Sequence, residues 1–168
     1  MLDRELIDEL WKNDPEMQQL AQQYDERPVN RILSRKINEF DNSIPHNVAQ
    51  RQFDMIRQIA DSGESAIFVG RCADYALAGR PGLLRIFCRA DLGQRIRRIE
   101  QRHNLSKKKA ALLVAKTDRH RRVYYHHHTG QFWGHSSCYD LTVNTGVLGV
   151  EKTAETMEAF IRTFWEQD

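Results

Sequence analysis

The chain has 168 residues, 40% of them hydrophobic and 29% charged, with a formal net charge of +2. That length suits a single domain over residues 1–168, and the apolar share is enough for a core, which excludes wholesale disorder. No apolar run approaches the ~20 residues that span a bilayer, and residues 1–14 lack the basic and apolar regions of a secretory signal, so a cytoplasmic protein with no membrane partner is expected.

In chain order, residues 2–11 predict a short helix, with Leu2, Leu6, Ile7 and Leu10 at helical spacing. Residues 29–40 predict a second, through Ile32, Leu33, Ile37 and Phe40, broken by residues 41–45. Asn47 is placed to cap a third helix running to Asp61, with Phe53, Ile56, Ile59 and Ala60 facing inward. Residues 65–70 form a short apolar run closed by Gly70, the pattern of a buried parallel strand. Residues 83–88 are a second such run. Asp91 is placed to cap a helix from Leu92 to His103, and Ser106 another that reaches the His126-His127-His128 triplet. Residues 139–143 predict a third strand and residues 150–165 a closing amphipathic helix. Strands separated by helices predict an α/β layer architecture with a parallel sheet.

The small net charge hides a segregation. Residues 85–122 hold nine Arg and four Lys against Asp91, Glu100 and Asp118, a net +10, which leaves −8 for the rest of the chain. So dense a basic stretch meets phosphate, in nucleic acid or in a nucleotide, unless it is only a solvated helix face.

Four constellations within or beside these elements have chemical potential. Gly70-Arg71-Cys72-Ala73-Asp74 follows the first predicted strand, where open α/β sheets bind ligands, and an Arg on a Gly turn there suits a phosphate. Arg95, Arg98 and Arg102 share one face of the next helix. Asp118 and Arg121 stand three residues apart on the following helix, where they can brace each other amid further arginines that neutralise a transferring phosphoryl group. Finally, His126, His127, His128, His135 and Cys138 crowd thirteen residues. Adjacent helical histidines diverge and no pair has the i, i+4 spacing of a helical metal site, so no metal is expected there. Tyr124, Tyr125, Phe132, Trp133 and Tyr139 predict a packed aromatic turn, with base stacking as the sharper alternative. Three cysteines, Cys72, Cys88 and Cys138, without CxxC spacing argue against a disulfide framework or zinc ribbon.

Taken in order, these pieces resemble the cytidylate kinase-like family of P-loop nucleotide kinases. The matching residues are Phe68-Val69-Gly70-Arg71-Cys72-Ala73-Asp74-Tyr75; Arg85-Ile86-Phe87 with Arg95 downstream; Asp118-x-x-Arg121 with Tyr124-Tyr125; Thr129-Gly130-x-x-Trp133-Gly134; Tyr139-Asp140-Leu141-x-x-Asn144-Thr145; and Gly149-Val150-Glu151. The resemblance implies a P-loop-kinase-like parallel sheet flanked by helices, with a helical lid. It implies phosphoryl transfer from ATP, with Mg²⁺, to a nucleoside monophosphate such as CMP. It places acceptor-phosphate binding on Arg71 and Arg95, acceptor contact on Asp118, and bridging of the two phosphates on Arg121.

Relative to that family pattern, the sequence contains no GxxxxGK[ST] stretch and begins at the segment that follows the family's first strand and phosphate loop. The expected fold therefore lacks those two parts. Its strands at Ile67 and Ile86 then pair directly or are bridged by a second copy, giving a homo-oligomer. The alternative function is a non-catalytic nucleotide- or phosphate-binding protein, or a nucleic-acid-binding assembly protein.

Overall fold

A computed structural model describes residues 43–166. The helices predicted over residues 2–11 and 29–40 lie outside them. The described residues divide into two compact units: residues 43–80 with His120–Gln131, and Pro81–Arg119 with residues 132–166.

In the first unit, helix α1 (Ser43–Asp61) starts before Asn47, the cap suggested by the sequence. Pro45 falls in its first turn, where a backbone N–H has no partner within the helix, so the proline costs no hydrogen bond. Val48, Ala49, Gln52, Phe53 and Ile56 recur at three- and four-residue spacing and are buried. The run over residues 65–70 is not the buried strand its composition predicts. It carries an isolated bridge at Phe68, while Ile67 and Val69 are 69% and 43% exposed. The backbone then turns through three successive left-handed residues, Gly70, Arg71 and Cys72, at φ 76°, 56° and 52°. This turn launches the short α2 (Ala73–Ala76), which packs on α1 through buried Ala73 and Ala76. Arg57 Nε of α1 donates to the Ala76 carbonyl at 3.2 Å.

The second unit is built on two parallel strands, β1 (Ile86–Arg89) and β2 (Leu141–Asn144), in the register Ile86↔Leu141 to Arg89↔Asn144. β1 thus finds its ladder partner in β2, and the sheet of the described residues has the order β1-β2. Both strands lie a few residues later than residues 83–88 and 139–143. Parallel neighbours need a long connection, here supplied by two helices. The first is α3 (Leu92–His103), which ends on left-handed Asn104 at φ 49°, a residue type that tolerates that conformation. The second is α4 (Lys107–Thr129), entered through Ser106, whose carbonyl accepts from Ala110 N at 2.9 Å. It continues through the His triplet, and its residues from His120 onward belong to the first unit. Asp91 takes the N-cap position of α3, but its side chain faces Asn144 Nδ2 (3.5 Å) and Arg89 Nη1 (3.8 Å) rather than the helix.

The closing helix α5 (Thr145–Trp165) begins earlier than residue 150. Asn144 Oδ1 caps it by accepting from Gly146 N at 3.0 Å. Gly149, at φ 80° and ψ 173°, interrupts it, so the predicted span over residues 150–165 is its second segment. The result is a small parallel sheet flanked by helices, the α/β layering that the alternation of elements predicts.

Candidate functional site

Both strands of the second unit deliver the chain to a helix at their carboxyl ends. Thr145 Oγ1 donates to the Arg89 carbonyl at 3.1 Å, and the Asn144 cap starts α5 beside it. α3 starts three residues beyond β1, and Arg95 sits in its first turn, its N–H bonded to the Asp91 carbonyl at 3.0 Å. Gln94 Nε2 ties that same turn to the Gly146 carbonyl at 3.0 Å. Arg95 is thereby held at the sheet end where open α/β folds bind ligands.

Its partner comes from α4. Arg95 Nη2 donates to Asp118 Oδ1 at 2.5 Å, with the two side chains 34% and 15% exposed. Two residues singled out separately in the sequence therefore meet in one unit, a pairing that spacing along one helix does not supply. The carboxylate takes one N–H of a guanidinium that carries five, which fixes its plane and leaves further donors for an anion.

At the opposite ends of the strands, Asp140 clamps Arg85. Its Oδ2 accepts from Arg85 N (2.8 Å) and Nε (3.0 Å), and its Oδ1 from Nη2 (2.7 Å). These bonds from Arg85 hold the Asp140 carboxyl below its usual range, against an opposing effect of partial burial. The Arg85 carbonyl in return accepts from the N–H groups of Asp140 (2.8 Å) and Leu141 (3.2 Å). The clamp precedes the first ladder pair and fixes the register. The sequence singled out both residues but not their contact.

The aromatic residues do not form the single turn predicted for them. Trp133 and Tyr139 pack on Phe87 of β1, at ring-centroid distances of 5.3 Å edge-on and 4.9 Å tilted. Gly134 is required at this contact: a Cβ there would lie 2.9 Å from the Phe87 ring, and its φ is +78°. Phe132 is 70% exposed. Tyr124 and Tyr125 are buried in the other unit, where Tyr124 meets His128 at a tilt of 57° with ring centroids 4.5 Å apart and Phe53 meets His128 edge-on at 6.1 Å. His126 Nδ1 lies 3.2 Å from the Gln131 carbonyl. Among the described residues no set of three metal-ligating side chains gathers.

The first unit carries Arg71 and Arg121. Arg71 lies in the left-handed turn and is 6% exposed, with its Nε and Nη1 removed from solvent. Arg121 is exposed on α4. One turn further on, the Tyr125 hydroxyl donates to Asp74 Oδ2 of α2 at 2.6 Å and lies 3.1 Å from Gln131 Oε1. This bond anchors the Arg121-bearing part of α4 to the helix that follows Arg71. Sequence reading gave neither Tyr125 nor Asp74 this role; the only available signal was their presence in two matched motifs.

Residues 1–147 match the family model described as the cytidylate kinase-like family. A solved structure, that of an uncharacterized protein from Eubacterium ventriosum, is similar to the chain with 27% sequence identity and a TM-score of 0.68, covering 88% of this chain and 89% of that one. No curated protein matches it.

Proposed function

Because the chain belongs to the cytidylate kinase-like family, whose model matches residues 1–147, we propose that it is a nucleotide kinase-like protein whose acceptor half binds a nucleoside monophosphate such as CMP. The observation that carries this reading is the Arg95–Asp118 pair at the carboxyl end of β1. Asp118 orients Arg95, and the remaining guanidinium N–H groups take the phosphate in the fork geometry that suits its oxygens. Arg71, on its Gly turn in the first unit, matches the position that binds the acceptor phosphate in the family. Arg121 neutralises charge between acceptor and donor in the family reaction, phosphoryl transfer from ATP. A helical lid made by α4, a homo-oligomeric assembly and a cytoplasmic location belong to the same reading, with light scattering as the check on assembly. No helix among the described residues is long and apolar enough to cross a membrane.

The family uses ATP with Mg²⁺, which would supply the transferred phosphoryl group and its charge neutralisation. The described residues do not fit that pair. No group of three or more metal-ligating side chains gathers among them, and no GxxxxGK[ST] stretch occurs in the 168 residues.

Calorimetric titration tests the acceptor half. CMP is expected to bind saturably and more tightly than cytidine. Arg95→Ala is expected to weaken CMP about tenfold or more, the scale of a charged hydrogen bond, and to leave cytidine unchanged. Equal CMP affinity in parent and variant removes Arg95 from the site.

A further inference from the structure

Most arginines with a described acid nearby are held by it: Arg57 by Asp54, Arg80 by Asp61, Arg85 by Asp140, Arg89 by Asp91, Arg95 by Asp118 and Arg162 by Glu158. The junction of α3 and α4 is different. Arg97, Arg98, Arg102, Lys107, Lys108 and Lys109 are all exposed, and none forms an ion pair among the described residues. Glu100 is the only acid between residues 97 and 109. Left-handed Asn104 ends α3, and only residues 104–106 separate the basic end of one helix from the lysine turn of the next. The lysines stand in the first turn of α4, which holds no acid and where the peptide dipoles already present positive charge. Six cations are thus crowded within a short stretch at a cost in mutual repulsion, with no acid arranged to relieve it.

We propose that this junction is a docking surface for a nucleic-acid phosphate backbone, read without base specificity. A polyanion relieves the repulsion of several side chains at once, which a single phosphate cannot do. The six positions hold three Arg, whose forked guanidinium suits phosphodiester oxygens, beside three Lys on flexible stems. Between residues 97 and 109 no large hydrophobic side chain is exposed, so the surface offers nothing to enter a lipid interface and no aromatic platform for bases. The proposal is independent of the nucleotide-binding reading, whose residues Arg71, Arg95, Asp118 and Arg121 are outside these six.

The test is fluorescence anisotropy with a labelled 20-nucleotide uridine RNA, a thymidine DNA strand of the same length and a DNA duplex, from low to physiological salt. Binding to at least one is expected, with log K falling against log salt at a slope of about −4 for single strands, as six phosphate contacts require. Lys107→Gln, Lys108→Gln and Lys109→Gln together are expected to bring that slope to about −2 and to weaken binding at least tenfold, with CMP titration and the melting curve unchanged. Three results overturn the proposal: no binding to any probe at low salt, a slope that the triple variant does not alter, or binding to vesicles containing phosphatidylserine but to no nucleic acid. A variant that melts early is replaced by Arg97→Gln with Arg102→Gln, which must bring the slope to about −3.

Discussion

Asp140→Asn keeps the size of the side chain and removes its charge, so it isolates what the clamp on Arg85 contributes. In the parent, three Arg85 N–H groups meet the carboxylate, two at Oδ2 and one at Oδ1. An Asn amide has one acceptor and one donor end. With its oxygen in the Oδ2 position two bonds survive, and its NH₂ opposes the guanidinium Nη2. The reverse orientation loses two bonds. A hydrogen bond to a charged group is worth about 1.5–3 kcal/mol, and solvent screening of side chains that are 34% and 32% exposed reduces the expected loss to about 1–2 kcal/mol. For a chain of this size that lowers the melting temperature by about 2–8 °C. The pH dependence has a definite sign. A carboxyl held below its usual range adds stability above the ordinary Asp range, and that stability is lost as pH falls through the lowered folded-state value. Circular-dichroism melts of parent and variant, at pH 7 and in an acid series at constant ionic strength, should show the gap full at neutrality and closing in acid. Melting within about 1 °C at pH 7, or a gap that persists once the parent carboxyl is protonated, would refute the reasoning.

Three further outcomes follow from the site and its supports. Gly134→Ala places a methyl 2.9 Å from the Phe87 ring at a positive φ and should cost about 1–3 kcal/mol by thermal melting, with Phe87→Leu in the same chain recovering part of it. Arg71→Lys keeps the charge but not the fork, and should weaken CMP about tenfold by calorimetry; unchanged affinity would take Arg71 out of the phosphate site. The 168-residue chain should form no ADP in a coupled assay with ATP, Mg²⁺ and CMP, dCMP, UMP or AMP, because scattered arginines do not replace a ring of backbone N–H groups around the donor phosphates. Turnover abolished by Arg121→Ala would show that argument to be wrong.

The parts of the fold legible in the sequence are those whose cause is local. α3 spans the predicted Leu92–His103, α4 begins just after Ser106 as expected, and the 150–165 segment shows its helical spacing directly. What was missed depends on distant partners. Ile67, Phe68 and Val69 have the composition of a strand, yet a strand exists only by pairing, and here Ile67 and Val69 face solvent. The strand boundaries at Ile86 and Leu141 are set by the Arg85–Asp140 clamp across 55 residues, which no local pattern encodes. The site divides in the same way. Arg95 and Asp118 were each visible as charged residues on helices, but their contact at 2.5 Å spans 23 residues and needed the folded chain. Asn144 was matched as part of a motif without its capping role, since that role requires knowing that a strand ends there.

The interruption at Gly149 divides the hydrogen-bond ladder of α5. Helix opening propagates residue by residue from a free end, because each broken bond removes a constraint on the next. Opening that starts at Trp165 runs back only as far as the segment over residues 150–165, where Thr153 Oγ1 holds the Gly149 carbonyl at 2.5 Å. The turn over residues 145–148 is retained separately, by the Asn144 cap and by Thr145 on the Arg89 carbonyl. The sheet's carboxyl edge, and with it the backbone beside Arg95, is therefore insulated from the breathing of the chain's last helix. Hydrogen exchange would register this as two opening events of different free energy, one on each side of Gly149.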